Sequence, residues 1–164
     1  MQQVSYAPIG IIRTPWTEIA GMPLQAVAAE GVAGSIDVDA EYAAGLRDIE
    51  GFSHLILLYH LHRIVGFALE VQPYLDTAQH GIFATRSPKR PNPIGLSVVR
   101  LVRVDGWTLH IEDVDMLDGT PLLDVKPYVP RFDQRPGERI GWYATARDVQ
   151  ATRADERFHG PTRS

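Results

Sequence analysis

Hydrophobic and polar residues alternate along several short stretches of this chain, and a period of two is typical of β-strands. The alternation is clear over residues 35–39 and over residues 107–113, in which Trp107, Leu109 and Ile111 would share one face. Many short stretches of this kind, separated by turn residues, predict a mostly β protein built as a barrel or a sandwich. The other predicted strands cover residues 8–13, 52–62, 71–74, 82–85, 95–104 and 122–125.

A few positions refine this pattern. Residues 52–62 are apolar at both odd and even positions, which predicts a central strand buried on both faces. The pair Asp105-Gly106 predicts a two-residue hairpin. Asp39 is expected to cap a short helix, and residues 140–146 predict a further short helix or strand.

The most distinctive segment, residues 81–97, contains a turn with three prolines in six residues: Pro88, Pro91 and Pro93. Each proline fixes its own φ angle and holds the preceding residue extended, so the turn is predicted to be rigid. Two interpretations stay open, a ligand-binding loop or a stiff connector with solvated cations. The polar side chains that the turn would present are Arg86, Lys89, Arg90 and Asn92.

Composition and charge restrict the function. The 164 residues predict one domain, and their formal net charge of -4 argues against a general nucleic-acid binder. A local basic patch, or alternatively a solvated strand face, is expected where Arg86, Lys89, Arg90, Arg100 and Arg103 occur within 18 residues. Cysteine is absent, and neither a signal peptide nor a membrane-spanning stretch is recognised, so a cytoplasmic location without membrane contact is expected.

Several chemistries lack their motifs. No Gly-x-Gly-x-x-Gly follows a predicted strand, no phosphate loop occurs, and no Gly-x-Ser-x-Gly or cysteine nucleophile is present. His54, His60 and His62 would share one strand face, but His54 would lie roughly 20 Å from His60 at ~3.3 Å per residue. We therefore predict no metal site, although His80 or Asp76 would be the residues to complete one. A hydrogen-bonded His54 and a ligand-contacting His62 are favoured instead.

Three carboxylates, Asp115, Asp118 and Asp124, surround a turn at Gly119. Aspartates bond their own backbone in tight turns, which would make these residues structural. Alternatively they form an acidic rim that faces ribose hydroxyls, an amino group or a positive ligand. The residues alone leave both interpretations open.

The segment 84–97, Ala-Thr-Arg-Ser-Pro-Lys-Arg-Pro-Asn-Pro-Ile-Gly-Leu-Ser, resembles the signature of the TsaA-like family of tRNA methyltransferases, also called the TrmO family. Three further segments, residues 9–15, 50–55 and 115–128, agree with the family in the same order. The resemblance extends over residues 7–133.

This resemblance implies a small β-barrel that binds S-adenosylmethionine without a Rossmann sheet, usually as a homodimer. Its implied reaction methylates N6 of threonylcarbamoyladenosine beside the tRNA anticodon, with tRNA as the partner. Residues 1–133 would form the barrel domain and residues 134–164 a partly ordered C-terminal extension. A small-molecule methyltransferase and a non-catalytic S-adenosylmethionine-binding or sensing protein are the alternatives.

Four regions would hold the donor by position in the matching segments: an early loop, the end of the central strand, the signature and the aspartate turn. Within them, Arg86 would pair with the methionine carboxylate, Phe83 and Leu96 would cover the adenine, and the aspartate turn would offer backbone groups to its edge. The general base is left open among Tyr59, His62, Asp115 and Asp118. The implied donor-binding residues are Pro23, Leu24, Gln25, His62, Arg63, Arg86, Leu96, Leu117, Asp118, Gly119 and Thr120.

The chain departs from the family pattern in its early loop. Family members often carry Pro-Arg-Gln-Pro-Gly where this chain has Pro-Leu-Gln-Ala-Val at residues 23–27. The sequence also ends before the additional domain that bacterial members carry. The resemblance therefore predicts the donor site more directly than the acceptor.

Overall fold

Six antiparallel strands close into a barrel in the computed structural model of the protein, which describes residues 2–137 and 139–158. The barrel order is first, second, seventh, sixth, third and eighth strand, and the fourth and fifth strands pair separately. The prediction of a mainly β protein, and of a barrel, is confirmed. The strands are β1 (Gly10–Arg13), β2 (Ala33–Val38), β3 (His54–His60), β4 (Glu70–Val71), β5 (His80–Gly81), β6 (Ile94–Asp105), β7 (Thr108–Glu112) and β8 (Thr120–Pro127).

Alternate residues of each barrel strand point inward and form the core, as a period of two requires. Each aliphatic side chain that is fully buried in this way stabilises the fold by about 1.5–3 kcal/mol, so the barrel interior dominates the folding energy. The most deeply buried side chains of this interior are Ile12, Ile36, Leu55, Leu57, Val99, Leu109, Ile111 and Leu122.

Strand β3 is fully buried on one face only, which corrects the prediction for residues 52–62. Leu55, Leu57 and Tyr59 point into the barrel, whereas Ile56 and Leu58 are half-buried on its outside. A closed barrel has a single interior, so one of the two faces of any strand must lie outside it.

The helices are few and short, and none among the described residues is long and apolar enough to cross a membrane. Asp39 does precede a helix, but its side chain makes no capping hydrogen bond. Its backbone carbonyl accepts the Tyr42 amide at 2.8 Å instead, and this closes a tighter 3-10 turn. The helices are α1 (Pro130–Asp133) and the 3-10 helices Ala26–Ala28, Ala40–Leu46, Ile49–Gly51, Ile82–Ala84, Gly141–Thr145 and Glu156–Phe158.

The stretch predicted as a strand at residues 82–85 is helical. Ile82–Ala84 form a 3-10 helix, and the strand before it is limited to β5. Thr85 explains the difference, because its amide and its hydroxyl donate to the Ile82 carbonyl at 3.1 and 2.9 Å. These two bonds turn the chain before it enters the proline-rich segment.

The predicted hairpin joins β6 to β7, and Gly106 adopts the left-handed φ of 61° that such a turn requires. Trp107 belongs to this turn and is 54% exposed. It therefore does not share the buried face of Leu109 and Ile111, which corrects the predicted grouping.

The C-terminal segment (residues 140–158) returns to the loops at one end of the barrel. The Trp142 indole donates to the Ala84 carbonyl at 2.8 Å, and the Arg147 amide donates to the Leu75 carbonyl at 2.9 Å. The amide of Ala154 donates to the Met22 carbonyl at 2.9 Å. The division into a domain of residues 1–133 and a partly ordered extension of residues 134–164 stays a prediction, and residues 159–164 lie outside the described part.

The signature glycine, Gly95, leaves room for an aromatic ring. Tyr59 on β3 is the cross-strand partner of Gly95 on β6, and its ring lies directly over the glycine. A Cβ atom at position 95 would overlap the Cε2 and Cζ atoms of that ring. Glycine is therefore required here by the close approach of a side chain.

We predict that Gly95→Ala destabilises the protein by about 1–3 kcal/mol, the usual cost of forcing extra volume into a packed site. Urea unfolding followed by circular dichroism measures the change. Gly45→Ala is the matched control, since a Cβ at that position meets nothing within 4 Å. Equal stability of the two variants would contradict the packing account.

Candidate binding cleft

One cleft of about 810 Å³ opens at the end of the barrel where four loops meet. Its size lies within the range of small-molecule sites. It is formed by the early loop (residues 19–27), the residues after β3 (61–64), the proline loop (residues 85–93) and the aspartate turn (residues 115–120). The C-terminal segment adds a further wall.

The structure brings most of the predicted donor-binding residues together around this cleft. These residues come from four segments that are far apart in the sequence, so it is the fold that brings them together. Their role in binding remains a prediction. The predicted residues that line the cleft are Pro23, Leu24, Gln25, His62, Arg63, Arg86, Leu96, Leu117 and Thr120.

Asp118 and Gly119 belong to the aspartate turn but do not line the cleft. The Asp118 carboxylate accepts the Thr14 amide at 3.1 Å and lies 4.0 Å from Arg13. The amides of Asp118, Gly119 and Thr120 donate to backbone carbonyls within the protein. These three amide donors are therefore already bonded within the protein, and the expectation that the turn offers backbone groups to an adenine edge stays a prediction.

The cations of the proline loop have different roles. Arg90 ties the loop together, because its Nη1 donates to the carbonyls of Thr85 at 2.9 Å and Ile82 at 3.2 Å. Lys89 is only 6% exposed. The prediction that the loop presents both cations to a ligand is wrong for Lys89 and misses the structural role of Arg90. Asn92 is exposed and does not line the cleft.

Arg86 is the exposed cation of this loop at the cleft, and its Nη1 donates to the Gln25 side-chain carbonyl at 2.7 Å. Gln25 is a neutral partner, so an anionic group of a ligand can replace it on the guanidinium, whose charge also acts on the nearby Asp115. Phe83 is 76% exposed and lies outside the cleft lining, which corrects the expectation that it covers a bound ring.

The predicted basic patch is divided by ion pairs. Arg100 on β6 pairs with Glu112 on β7, and Arg103 lies 3.3 Å from Asp105. The strand part of the cationic run is therefore balanced by acids, as the alternative interpretation of a solvated strand face predicts.

The histidines of residues 2–137 and 139–158 form no metal site. His54 bonds the Ser53 hydroxyl at 3.0 Å, and His80 bonds Asp76 at 2.9 Å. No group of three metal-binding side chains occurs among the described residues. His62 reaches the cleft, where its Nδ1 lies 3.4 Å from the Thr120 hydroxyl, and burial lowers its pKa, with Arg63 acting in the same direction.

A chain of hydrogen bonds leads from the barrel interior to the cleft. The Tyr59 hydroxyl lies 2.9 Å from the Ser97 hydroxyl, which donates to Asp115 Oδ1 at 2.5 Å. Burial raises the pKa of Asp115 to about 6, and the hydrogen bond from Ser97 opposes this shift. Burial and the nearby Asp115 raise the pKa of Tyr59, which therefore stays protonated at neutral pH. No role was predicted for Ser97, although this residue ends the signature segment 84–97.

Two aromatic residues of the C-terminal segment were also missed. Trp142 and Tyr143 line the cleft, and their rings stack with centroids 3.9 Å apart. His80 stacks on Trp142 at 4.5 Å. The adjacent aromatic pair in an otherwise polar tail was the available signal, but only the fold brings it to the cleft.

A closed antiparallel barrel with an apolar cleft at one end defines a small-molecule-binding β-barrel protein. The family model described as the tRNA-methyltransferase O N-terminal domain matches residues 11–134. The chain belongs to this family of S-adenosylmethionine-dependent methyltransferases, as the signature predicts.

The relatives agree with this assignment. A probable S-adenosyl-L-methionine-binding protein of Pyrococcus abyssi is 53% identical over 94% of this chain and 85% of its own length. The tRNA (adenine(37)-N6)-methyltransferase of Escherichia coli is 37% identical over 89% of this chain and 66% of its own. A crystal structure of TrmO from Pseudomonas aeruginosa has a TM-score of 0.71 at 36% identity, covering 86% of this chain and 63% of that one. The chain thus spans less than two thirds of the solved TrmO structure.

We predict that Asp115→Asn becomes more stable relative to the wild-type protein as pH rises from 4 to 7. The folded-state pKa of Asp115, about 6, is above the value of 3.8 for a solvated carboxyl. The wild-type protein therefore loses stability as pH rises through this window, because ionisation is harder in the folded state. The variant lacks this titration. Urea unfolding of both proteins at several pH values measures the gap, and a gap that is constant with pH would contradict the raised pKa.

Proposed function

We propose that this chain transfers the methyl group of S-adenosylmethionine to N6 of threonylcarbamoyladenosine at position 37 of tRNA. The observation that carries the proposal is the meeting of the proline loop and the aspartate turn around one cleft, in a chain of the TrmO family. The similarity to a tRNA (adenine(37)-N6)-methyltransferase supports adenosine 37 as the target.

The lining of the cleft suits this donor. Leu24, Leu96 and Leu117 supply apolar surface for the nucleoside and the methylene groups of the donor. Arg86 supplies a guanidinium for the carboxylate, in exchange for its present neutral partner Gln25. The residues present therefore fit the donor, with a guanidinium for its carboxylate and apolar walls for its nucleoside.

Methyl transfer mainly requires that the acceptor nitrogen and the methyl group of the donor are aligned. S-adenosylmethionine supplies an already activated methyl group when bound, so the protein must bring the acceptor nitrogen into line with it. Rigid walls serve this purpose. The three prolines of the proline loop and the carbonyl bonds of Arg90 hold one wall in place.

The acceptor is supported less directly than the donor. Among the described residues, Arg100 and Arg103 of β6 are paired with acids, so tRNA contact would rely on other arginines, including Arg63 and Arg90 at the cleft. The homodimer and the cytoplasmic location also remain proposals. The half-buried outer face of β3, together with the half-exposed Leu96 beside it, supports the homodimer.

We expect the chain to methylate tRNA that carries threonylcarbamoyladenosine and not tRNA that lacks this modification. The assay uses methyl-labelled S-adenosylmethionine with tRNA from strains lacking the methyltransferase or the carbamoylation enzyme, followed by nucleoside mass spectrometry. The affinity for tRNA should fall with added salt, because phosphate contacts release counterions. Label found only in small molecules would favour the metabolite methyltransferase, and binding without turnover would favour a sensor.

We predict that Arg86→Ala weakens the binding of S-adenosylhomocysteine about 10- to 100-fold, the effect of losing a charge-assisted hydrogen bond. Isothermal titration calorimetry measures the change. Arg100→Ala is the matched control, since Arg100 lies outside the cleft and pairs with Glu112. Unchanged affinity of the Arg86 variant would exclude the carboxylate contact.

A further inference from the structure

We propose that Asp115 accepts the proton that the acceptor nitrogen loses during methyl transfer, and that Ser97 and Tyr59 hold its carboxylate in place. This inference rests on the proposed function and names the base that the sequence left open.

The direction of the hydrogen bonds among Tyr59, Ser97 and Asp115 supports Asp115 as a proton acceptor. Ser97 has one hydroxyl proton and donates it to Asp115 Oδ1 at 2.5 Å. The Tyr59 hydroxyl, 2.9 Å away, must therefore donate to Ser97. The hydrogen bonds therefore run from Tyr59 to Ser97 and from Ser97 to Asp115, so the carboxylate is the final acceptor of this network.

The position of Asp115 in the cleft also supports its role as the base. Among the described residues that line the 810 Å³ cleft, it is the only acidic one. It also lines a neighbouring depression of about 560 Å³, which shares Arg86 and Leu96 with the cleft. A group that borders both spaces can meet an acceptor entering from the depression while the donor occupies the cleft.

The other candidates for the base are weaker. Tyr59 stays protonated, because burial raises its pKa. The carboxylate of Asp118 bonds Thr14 and does not line the cleft. His62 is the remaining competitor, since it lines the cleft and its lowered pKa keeps it neutral at pH 7.

The proposed step is balanced. An exocyclic N6 nitrogen is a weak nucleophile, because its lone pair is delocalised into the neighbouring π system. It forms a bond to the methyl carbon while the carbon–sulfur bond breaks and leaves its electron pair on sulfur. The N–H proton passes to Asp115, so the products are S-adenosylhomocysteine, the methylated nitrogen and a protonated carboxyl group.

The surroundings suit a base that works near neutral pH. Burial raises the pKa of Asp115 to about 6, so the carboxylate is mostly ionised at pH 7 yet remains basic enough to accept a proton. Arg86 and the Ala26 amide favour the ionised form. The titratable and charged groups that face it or share its depression are Tyr59 on β3, Arg86 on the proline loop, His54 on β3, and Glu30 and Asp113 at the rim.

The activity test compares the wild-type protein with Asp115→Asn on threonylcarbamoyl-modified tRNA. We expect kcat to fall about 10²- to 10⁴-fold, the usual contribution of a general base, with the affinity for S-adenosylhomocysteine changed less than about threefold. The acidic limb of the wild-type pH profile should disappear in the variant. Asp124→Asn, whose carboxylate lies outside the cleft beside Lys126, is the matched control and should retain activity.

A second variant tests the positioning role without removing the carboxylate. Ser97→Ala removes a hydrogen bond that lowers the pKa of Asp115. The acidic limb should therefore move to higher pH, and so should the midpoint of the Asp115 carboxyl resonance in a ¹³C NMR titration of the free protein. The NMR midpoint needs no turnover, so it remains informative whatever the acceptor is.

The outcomes are distinguishable. Retained kcat in Asp115→Asn, or a loss explained entirely by weaker donor binding, would overturn the base assignment while the proposed function stands. An acidic limb that survives in Asp115→Asn and disappears in His62→Ala would assign the base to His62 instead. No tRNA product from the wild-type protein would contradict the proposed function, and the base assignment with it.

Discussion

The close approach of Tyr59 to Gly95 is the constraint on which the rest of the site depends. Because position 95 has no side chain, the tyrosine ring lies flat against β6 and its hydroxyl reaches Ser97, two residues further along. Ser97 on β6 in turn bonds Asp115, which lies in the aspartate turn. One missing Cβ atom thus links the barrel interior, the signature strand and the aspartate turn into a single hydrogen-bonded network.

Much of the fold could be predicted from local pattern, and the failures have identifiable causes. The alternation in β7 and the turn at Gly106 are short-range signals, and both appear in the structure. The strand predicted at residues 82–85 was wrong because a short apolar run fits a helix as well as a strand. The hydrogen bonds of Thr85 decide in favour of the helix. The prediction that β3 is buried on both faces was wrong because hydrophobicity alone does not distinguish apolar residues inside the barrel from apolar residues on its outside.

The segments that form the site could be predicted from the sequence, but the roles of the individual side chains in it could not. The family signature indicated the loops that converge, yet composition could not distinguish Arg86, which faces the cleft, from Arg90, which bonds loop carbonyls. The difference arises because the carbonyls of Ile82 and Thr85 lie within reach of the Arg90 guanidinium, and only the folded loop places them there. Trp142 was missed because it lies 58 positions from the Ala84 carbonyl that it bonds, and only the closed fold brings them together.

We propose that the donor binds in the cleft between the proline loop and the aspartate turn. A crystal structure of the protein with S-adenosylhomocysteine tests it most directly. We expect the nucleoside between Leu96 and Leu117, the amino-acid carboxylate on Arg86, and Asp115 facing the position of the transferred methyl group. A ligand bound elsewhere on the barrel, with Arg86 still on Gln25, would contradict it.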